Sequence, residues 1–185
     1  MSLPDKWINT IFKIATGKPI IRNAMTPVGA ILFLSFVTGL IFFSLCIDGA
    51  LELKPFIAFP VDLILGLFFL FSGITLTAYC IFYFIKSGGT PVPLNPPKKL
   101  ITDGPYGISR NPMLTGLFLL LFGFGFIRNS VTLTFIVTPF FIILNYIEIK
   151  KIEEPEIEKR FGKDYIEFRK KTPMFIPKYE KKKPE

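Results

Sequence analysis

Histidine is absent from all 185 residues. That absence excludes a Ser-His-Asp triad, a zinc–histidine site and any histidine proton shuttle. Cysteine is nearly absent, since Cys46 and Cys80 are the only two and each sits inside an apolar stretch. They offer neither a metal cluster nor a disulfide scaffold and read as small core hydrophobes. Charge is scarce at 19% of residues, against roughly a quarter in an average soluble domain. Acid is scarcer than base, leaving a formal net charge of +8. The N-terminal stretch also lacks a continuous apolar core followed by a small-residue cleavage site, so no secretory signal peptide is expected.

What is present is apolar. Half the residues are hydrophobic, 22 of them Phe, there is a single Trp, and the mean hydropathy is +0.48. A basic chain often means nucleic acid, but apolar runs of this length point instead to a membrane with an anionic inner face. No charge occurs in 23–47, 63–85, 111–127 or 129–147. A bilayer-spanning helix needs about 17–25 mostly apolar residues. The first two runs satisfy that, and the last two predict a tight helical hairpin turning at Arg128 and Asn129. A soluble globule of this size has too little interior to hide four such runs.

The basic residues give the spans a direction. With four spans, all but Lys54 and Arg128 fall on one side, and the positive-inside rule makes that side, with both termini, cytoplasmic. Before the first span, Trp7, Ile8, Ile11, Phe12 and Ile14 are interleaved with Lys6, Asn9 and Lys13, the pattern of an amphipathic helix lying in the interface. The expected fold is all-α: a multi-pass transmembrane helical protein of about four spans, with an N-terminal interfacial helix and a short C-terminal helical cytoplasmic segment. The expected divisions are an interfacial arm at 1–22, two transmembrane helices at 23–85, a core at 86–178 and a basic tail at 179–185.

Spans without interior charge leave little for an ion pathway to use; Asp62 and Glu148 stand at span ends. Chemistry is therefore expected in two polar segments on the cytoplasmic side. The first, 86–106, is rich in Pro and Gly and reads as a stiff extended strap leading into Tyr106-Gly-Ile-Ser-Arg110-Asn111-Pro112-Met113. Asn111 suits an N-cap and Pro112 the first helical position. The free N–H groups of that first turn favour an anion, and Arg110 can fork onto a carboxylate or phosphate. An N-cap with an arginine facing lipid phosphates explains the same residues. In the second segment, Pro155 predicts a new helix start with Glu153 and Glu154 around it, Gly162 a stop, and 163–171 a further short helix. Paired carboxylates there either complement the helix dipole or accept the hydroxyls of a ribose.

Together these segments resemble the isoprenylcysteine carboxyl methyltransferase and phospholipid methyltransferase superfamily of integral membrane enzymes. The residues that carry the resemblance are Gly89-Thr-Pro-Val-Pro, Leu100-Ile-Thr-Asp-Gly-Pro-Tyr106 and Arg110-Asn-Pro-Met113-x-x-Gly116. After the apolar hairpin come Glu153-Glu-Pro-x-Ile-x-x-x-Phe-Gly162-x-x-Tyr165-x-x-Phe168 and Pro173-x-Phe-Ile-Pro177. The resemblance implies a cytoplasm-facing S-adenosyl-L-methionine pocket capped by the connecting loop and the C-terminal segment. It implies Arg110 and Glu153 as the catalytic pair. It implies Lys98, Tyr106, Arg110, Asn111, Pro112, Met113, Leu114, Glu153 and Glu154 as the cofactor wall, and no metal. Leu114 stands where the family usually has Tyr. Ile149 stands where the prenylcysteine enzymes carry the arginine that holds the substrate carboxylate.

The implied reaction is methyl transfer to a lipid-like or other hydrophobic acceptor that enters from the bilayer, with no nucleic-acid partner. Displacement at a sulfonium runs on alignment and tolerates the lack of histidine. Two other readings stand beside it. One is an NADPH-dependent membrane reductase of related architecture, with Lys98 and Lys99 available for a 2′-phosphate. The other is a non-catalytic protein on the same scaffold. The glycines Gly66, Gly73, Gly116, Gly123 and Gly125 can pack helices within one chain or between chains, which leaves the oligomeric state open.

Overall fold

A computed structural model describes residues 3–88, 90, 96–97 and 99–176. Among these residues the regular structure is entirely helical. α1 is Leu3–Ala15, α2 Pro19–Ala50, α3 Val61–Lys86, α4 Pro105–Ile108 and α5 Pro112–Ile127. A single rod, α6, runs through Thr132–Phe161, and α7 is Lys163–Lys171. α2, α4 and α5 each begin with proline in the first turn, where its missing N–H costs nothing.

Three helices are long and apolar enough to cross a membrane: Asn23–Ala50 within α2, α3, and α6. α5 has 16 residues and is roughly 24 Å long at 1.5 Å per residue, short of the ~30 Å hydrocarbon core. It still reaches from one end of the bundle to the other. Asn129, just past its C-terminus, receives hydrogen bonds from Phe56 N (2.9 Å) and Ile57 N (3.1 Å) in the α2–α3 connection. That connection and the α5–α6 turn form one end of the bundle, the turn end. α1, α4 and α7 form the other, the terminal end.

Although α5 and α6 are consecutive, α5 packs chiefly against α3. The reason is glycine. A Cβ on Gly73 would lie 2.7 Å from Gly116 O, and one on Gly123 would lie 2.8 Å from Leu70 N, so these backbones approach closer than any side chain permits. Gly66 faces Gly123 while Gly73 faces Gly116, which makes the two helices antiparallel. Gly125 instead makes room for the Thr134 side chain. All five glycines therefore pack helices within the chain. Val37 of α2 joins Phe118, Leu121, Leu133 and Phe141 in the main core. Large apolar side chains such as Phe42, Phe71 and Phe140 stay exposed, as lipid-facing residues do.

α6 departs from the sequence expectation. No new helix starts at Pro155; the rod is continuous through it. The π-helical turns Thr132–Val137 and Ile149–Glu153 lie directly ahead of Pro139 and Pro155. A proline ring clashes with the carbonyl four residues earlier in an α-helix, and the wider turn makes room for it. At 30 residues, α6 outlasts the bilayer and carries its final charged turns beyond the apolar zone. The rod stops at Gly162, as the sequence predicts, in a left-handed conformation with φ +57°. Gly104 also has positive φ and packs flat on the Tyr83 ring.

α1 is shorter than the amphipathic stretch in the sequence, ending at Ala15. It lies against the last turns of α6. Lys159 donates a hydrogen bond to Asn9 Oδ1 at 2.7 Å and sits 4.4 Å above the Phe12 ring. Trp7 remains exposed.

Candidate functional site at the terminal end

The site is framed by a return of the chain. After α7, residues 172–176 run back alongside 109–111. Arg110 N donates to Pro173 O (2.9 Å), Asn111 N to Met174 O (3.1 Å) and Ser109 Oγ to Met174 O (2.9 Å). Phe175 then enters the core edge-on to Phe118, with ring centroids 5.6 Å apart. The C-terminal segment and the start of α5 thus form one unit. Asn111 occupies the N-cap position, but its side chain does not cap the helix; Nδ2 points toward Met174 O at 3.5 Å.

At the centre lies a buried ion pair. Arg110 Nη1 is 2.7 Å from Glu154 Oε1, the two side chains being 11% and 9% exposed. Arg169 of α7 approaches the other Glu154 oxygen at 3.9 Å and binds Glu158 at 2.9 Å. Because α6 is continuous here, Glu153 and Glu154 lie within a helix and not at its start. The expectation that they sit at a new N-terminus falls, and complementing a dipole no longer accounts for them. Glu154 is held by arginines.

Several polar groups remain uncommitted. Arg110 Nε is buried and has no hydrogen-bond partner among the described residues. Arg160 pairs with Glu156 at 2.9 Å, and Glu153 forms no direct ion pair among the described residues. Tyr106 is 8% exposed, packed edge-on to Phe84 at 5.5 Å and grouped with Cys80, Ile101 and Met113. Burial, then the Cys80 thiol beside it and the Glu153 carboxylate, pushes the Tyr106 hydroxyl above its usual range. Tyr165, 3% exposed, is raised likewise by burial and then by Glu154, with Arg110 and Arg169 opposing. Both phenols stay protonated at neutral pH and remain hydrogen-bond donors.

Of the residues expected from sequence, Tyr106, Arg110, Glu153 and Glu154 converge on this region. Asn111 and the buried Pro112 form the entry to α5. Met113 and Leu114 diverge: Met113 packs with the Tyr106 group, and Leu114 with Phe118 and Phe175 in the main core. Lys98 and the Gly89-Thr-Pro-Val-Pro element lie outside the described residues, apart from Thr90. Sequence reasoning missed Arg169, and it named the C-terminal segment as a cap without its pairing to 109–111. The motif residues Tyr165, Phe168 and Phe175 were the available signal.

The long apolar helices, with a charge-paired cluster at one end of their bundle, define a helical membrane protein with a polar site at its surface. Residues 61–164, from the first residue of α3 into α7, match the phospholipid methyltransferase family model, and the chain belongs to that family. The family is part of the isoprenylcysteine carboxyl methyltransferase-like superfamily of membrane methyltransferases. No curated protein matches the chain.

Proposed function

We propose that this protein transfers a methyl group from S-adenosyl-L-methionine to a lipid-like acceptor drawn from the bilayer, with both termini cytoplasmic and four passes. The observation that carries the reading is the Arg110–Glu154 pair, with its buried spare donor and the uncommitted Glu153 beside it. A guanidinium fixed by Glu154 and still holding a free Nε–H suits the carboxylate of the methionine moiety. A carboxylate without an ion-pair partner suits the two hydroxyls of a ribose.

S-adenosyl-L-methionine supplies a methyl already activated on a sulfonium. The protein's part is then position and dryness. Arg110 and Glu153 hold the two ends of the donor, Glu154 orients Arg110, and Arg169 orients Glu154. The returning segment 172–176 and α4 cover the site from water. Alignment of this kind lowers a barrier by about 7–11 kcal/mol in favourable cases. Lys98 belongs to the proposed donor wall, as do Asn111, Pro112 and Met113. Leu114 belongs to the same wall and packs, like Phe175, against the main core. The concentration of basic residues at the terminal end supports the orientation.

The test compares ligands on protein purified in nanodiscs. S-adenosylhomocysteine at 100 times its dissociation constant is expected to stabilise the fold by about 2.7 kcal/mol, and NADPH to leave it unchanged. Stabilisation by NADPH alone makes the site a reductase's; no response to either makes the chain a non-catalytic scaffold.

A further inference from the structure

α1 meets different surroundings on its two sides. Asn9 and Phe12 are taken up by Lys159, through the hydrogen bond and the ring contact that fasten the helix to the last turns of α6. At 3.6 residues per turn, Ile8 lies on the same side as Phe12, and Ile8, Asn9 and Phe12 are all half-buried. Apolar residues that the sequence offers to a bilayer are thus partly spent on protein.

The other side is exposed and basic. Lys6, Thr10 and Lys13 are spaced to form one stripe along the helix, and all three are exposed. Trp7 stands beside that stripe at 59% exposed. Thr10 turns its hydroxyl back to Lys6 O at 2.8 Å, so the outward polarity of the stripe comes from the two ammonium groups. Neither lysine forms an ion pair among the described residues. The helix also stands close to a bilayer: α2 starts at Pro19, and its stretch that is apolar enough to cross a membrane starts at Asn23. Lysines flanking an amphipathic indole next to a span complement a surface of negative headgroups.

We infer that the Lys6–Trp7–Lys13 face of α1 binds the headgroups of anionic phospholipids in the adjoining leaflet, while its Asn9–Phe12 face holds α6. Coulomb attraction supplies the headgroup contact, and the indole sets the depth of the helix at the edge of the acyl chains. The inference rests on α1 and its neighbours and does not depend on the proposed function.

Trp7 is the single Trp of the chain, so its fluorescence reports on this face directly. The full chain is reconstituted in phosphatidylcholine vesicles with increasing shares of phosphatidylglycerol, at a constant fraction of brominated acyl chains as quencher. As the anionic share rises, Trp7 emission is expected to move to shorter wavelength and to be quenched more strongly. Salt at about 1 M, where the screening length falls to about 3 Å, is expected to remove that increase. Lys6→Gln with Lys13→Gln is expected to lose most of it, and Lys6→Arg with Lys13→Arg to keep it. Emission that ignores phosphatidylglycerol overturns the inference, as does an increase undiminished by salt or in the glutamine variant. No methyl transfer is measured, so the headgroup contact and the methyltransferase reading fail separately.

Discussion

Asn129 and Arg110 close opposite ends of α5, and their bonding differs in kind. Asn129 takes up both faces of its amide: Oδ1 receives Phe56 N and Ile57 N, and Nδ2 donates to Ile57 O at 2.7 Å and Asp62 Oδ2 at 3.2 Å. With Asp48, Ser130 and Thr132 beside it, the turn end ties side chains mostly to backbone. Arg110 instead meets another buried charge and keeps an Nε that is unpaired among the described residues. The Asn129 amide, closed on the Phe56 and Ile57 backbone and on Asp62, holds the fold together and has no capacity left. A cluster of paired charges with a donor to spare has that capacity, and the proposed ligand site is set at this end for that reason.

The largest effect is expected from Arg110→Ala. It strands Glu154 in a buried position with Arg169 only at 3.9 Å, and removing one partner of a buried pair costs about 3–5 kcal/mol. Denaturation in detergent measures that loss, and the stabilisation by S-adenosylhomocysteine should vanish with it. Exchanging the pair, Arg110→Glu with Glu154→Arg, should recover most of the stability without the ligand response. Recovery of both would erase the distinction between the two ends.

Asn129→Ala comes next. It leaves two backbone N–H groups and one carbonyl without their partner, a loss of about 2–4 kcal/mol from several hydrogen bonds together. The ligand response should survive intact. Glu153→Gln inverts that pattern: stability stays near wild type, and affinity for S-adenosylhomocysteine falls about tenfold, equivalent to ~1.4 kcal/mol. The smallest effect belongs to Arg169→Ala. Its side chain is 37% exposed, and an ion pair so open to water contributes about 0–1 kcal/mol. A larger loss on thermal denaturation would mean that Arg169 holds Glu154 more directly than the 3.9 Å separation implies.

The sequence made the apolar skeleton legible because charge-free runs report burial in lipid directly. It also marked Asn111-Pro112 as a helix start and Gly162 as a stop, since both depend on local backbone preferences. It hid the continuity of α6 through Pro155, because a π turn absorbs the proline without a composition signal. It hid the choice of Glu154 as the partner of Arg110, because that depends on helix phase across two π turns. The role of Asn129 was equally hidden. A single Asn next to Arg128 looks like any turn residue until the α2–α3 connection is brought beside it.

The most direct test of the account is the affinity for S-adenosylhomocysteine, measured calorimetrically in identical nanodiscs for wild type, Glu153→Gln and Asn129→Ala. Asn129→Ala is expected to bind as wild type does despite its lower stability, while Glu153→Gln binds about tenfold more weakly despite its normal stability. Wild-type affinity in Glu153→Gln, with weakened binding in Asn129→Ala, would contradict it.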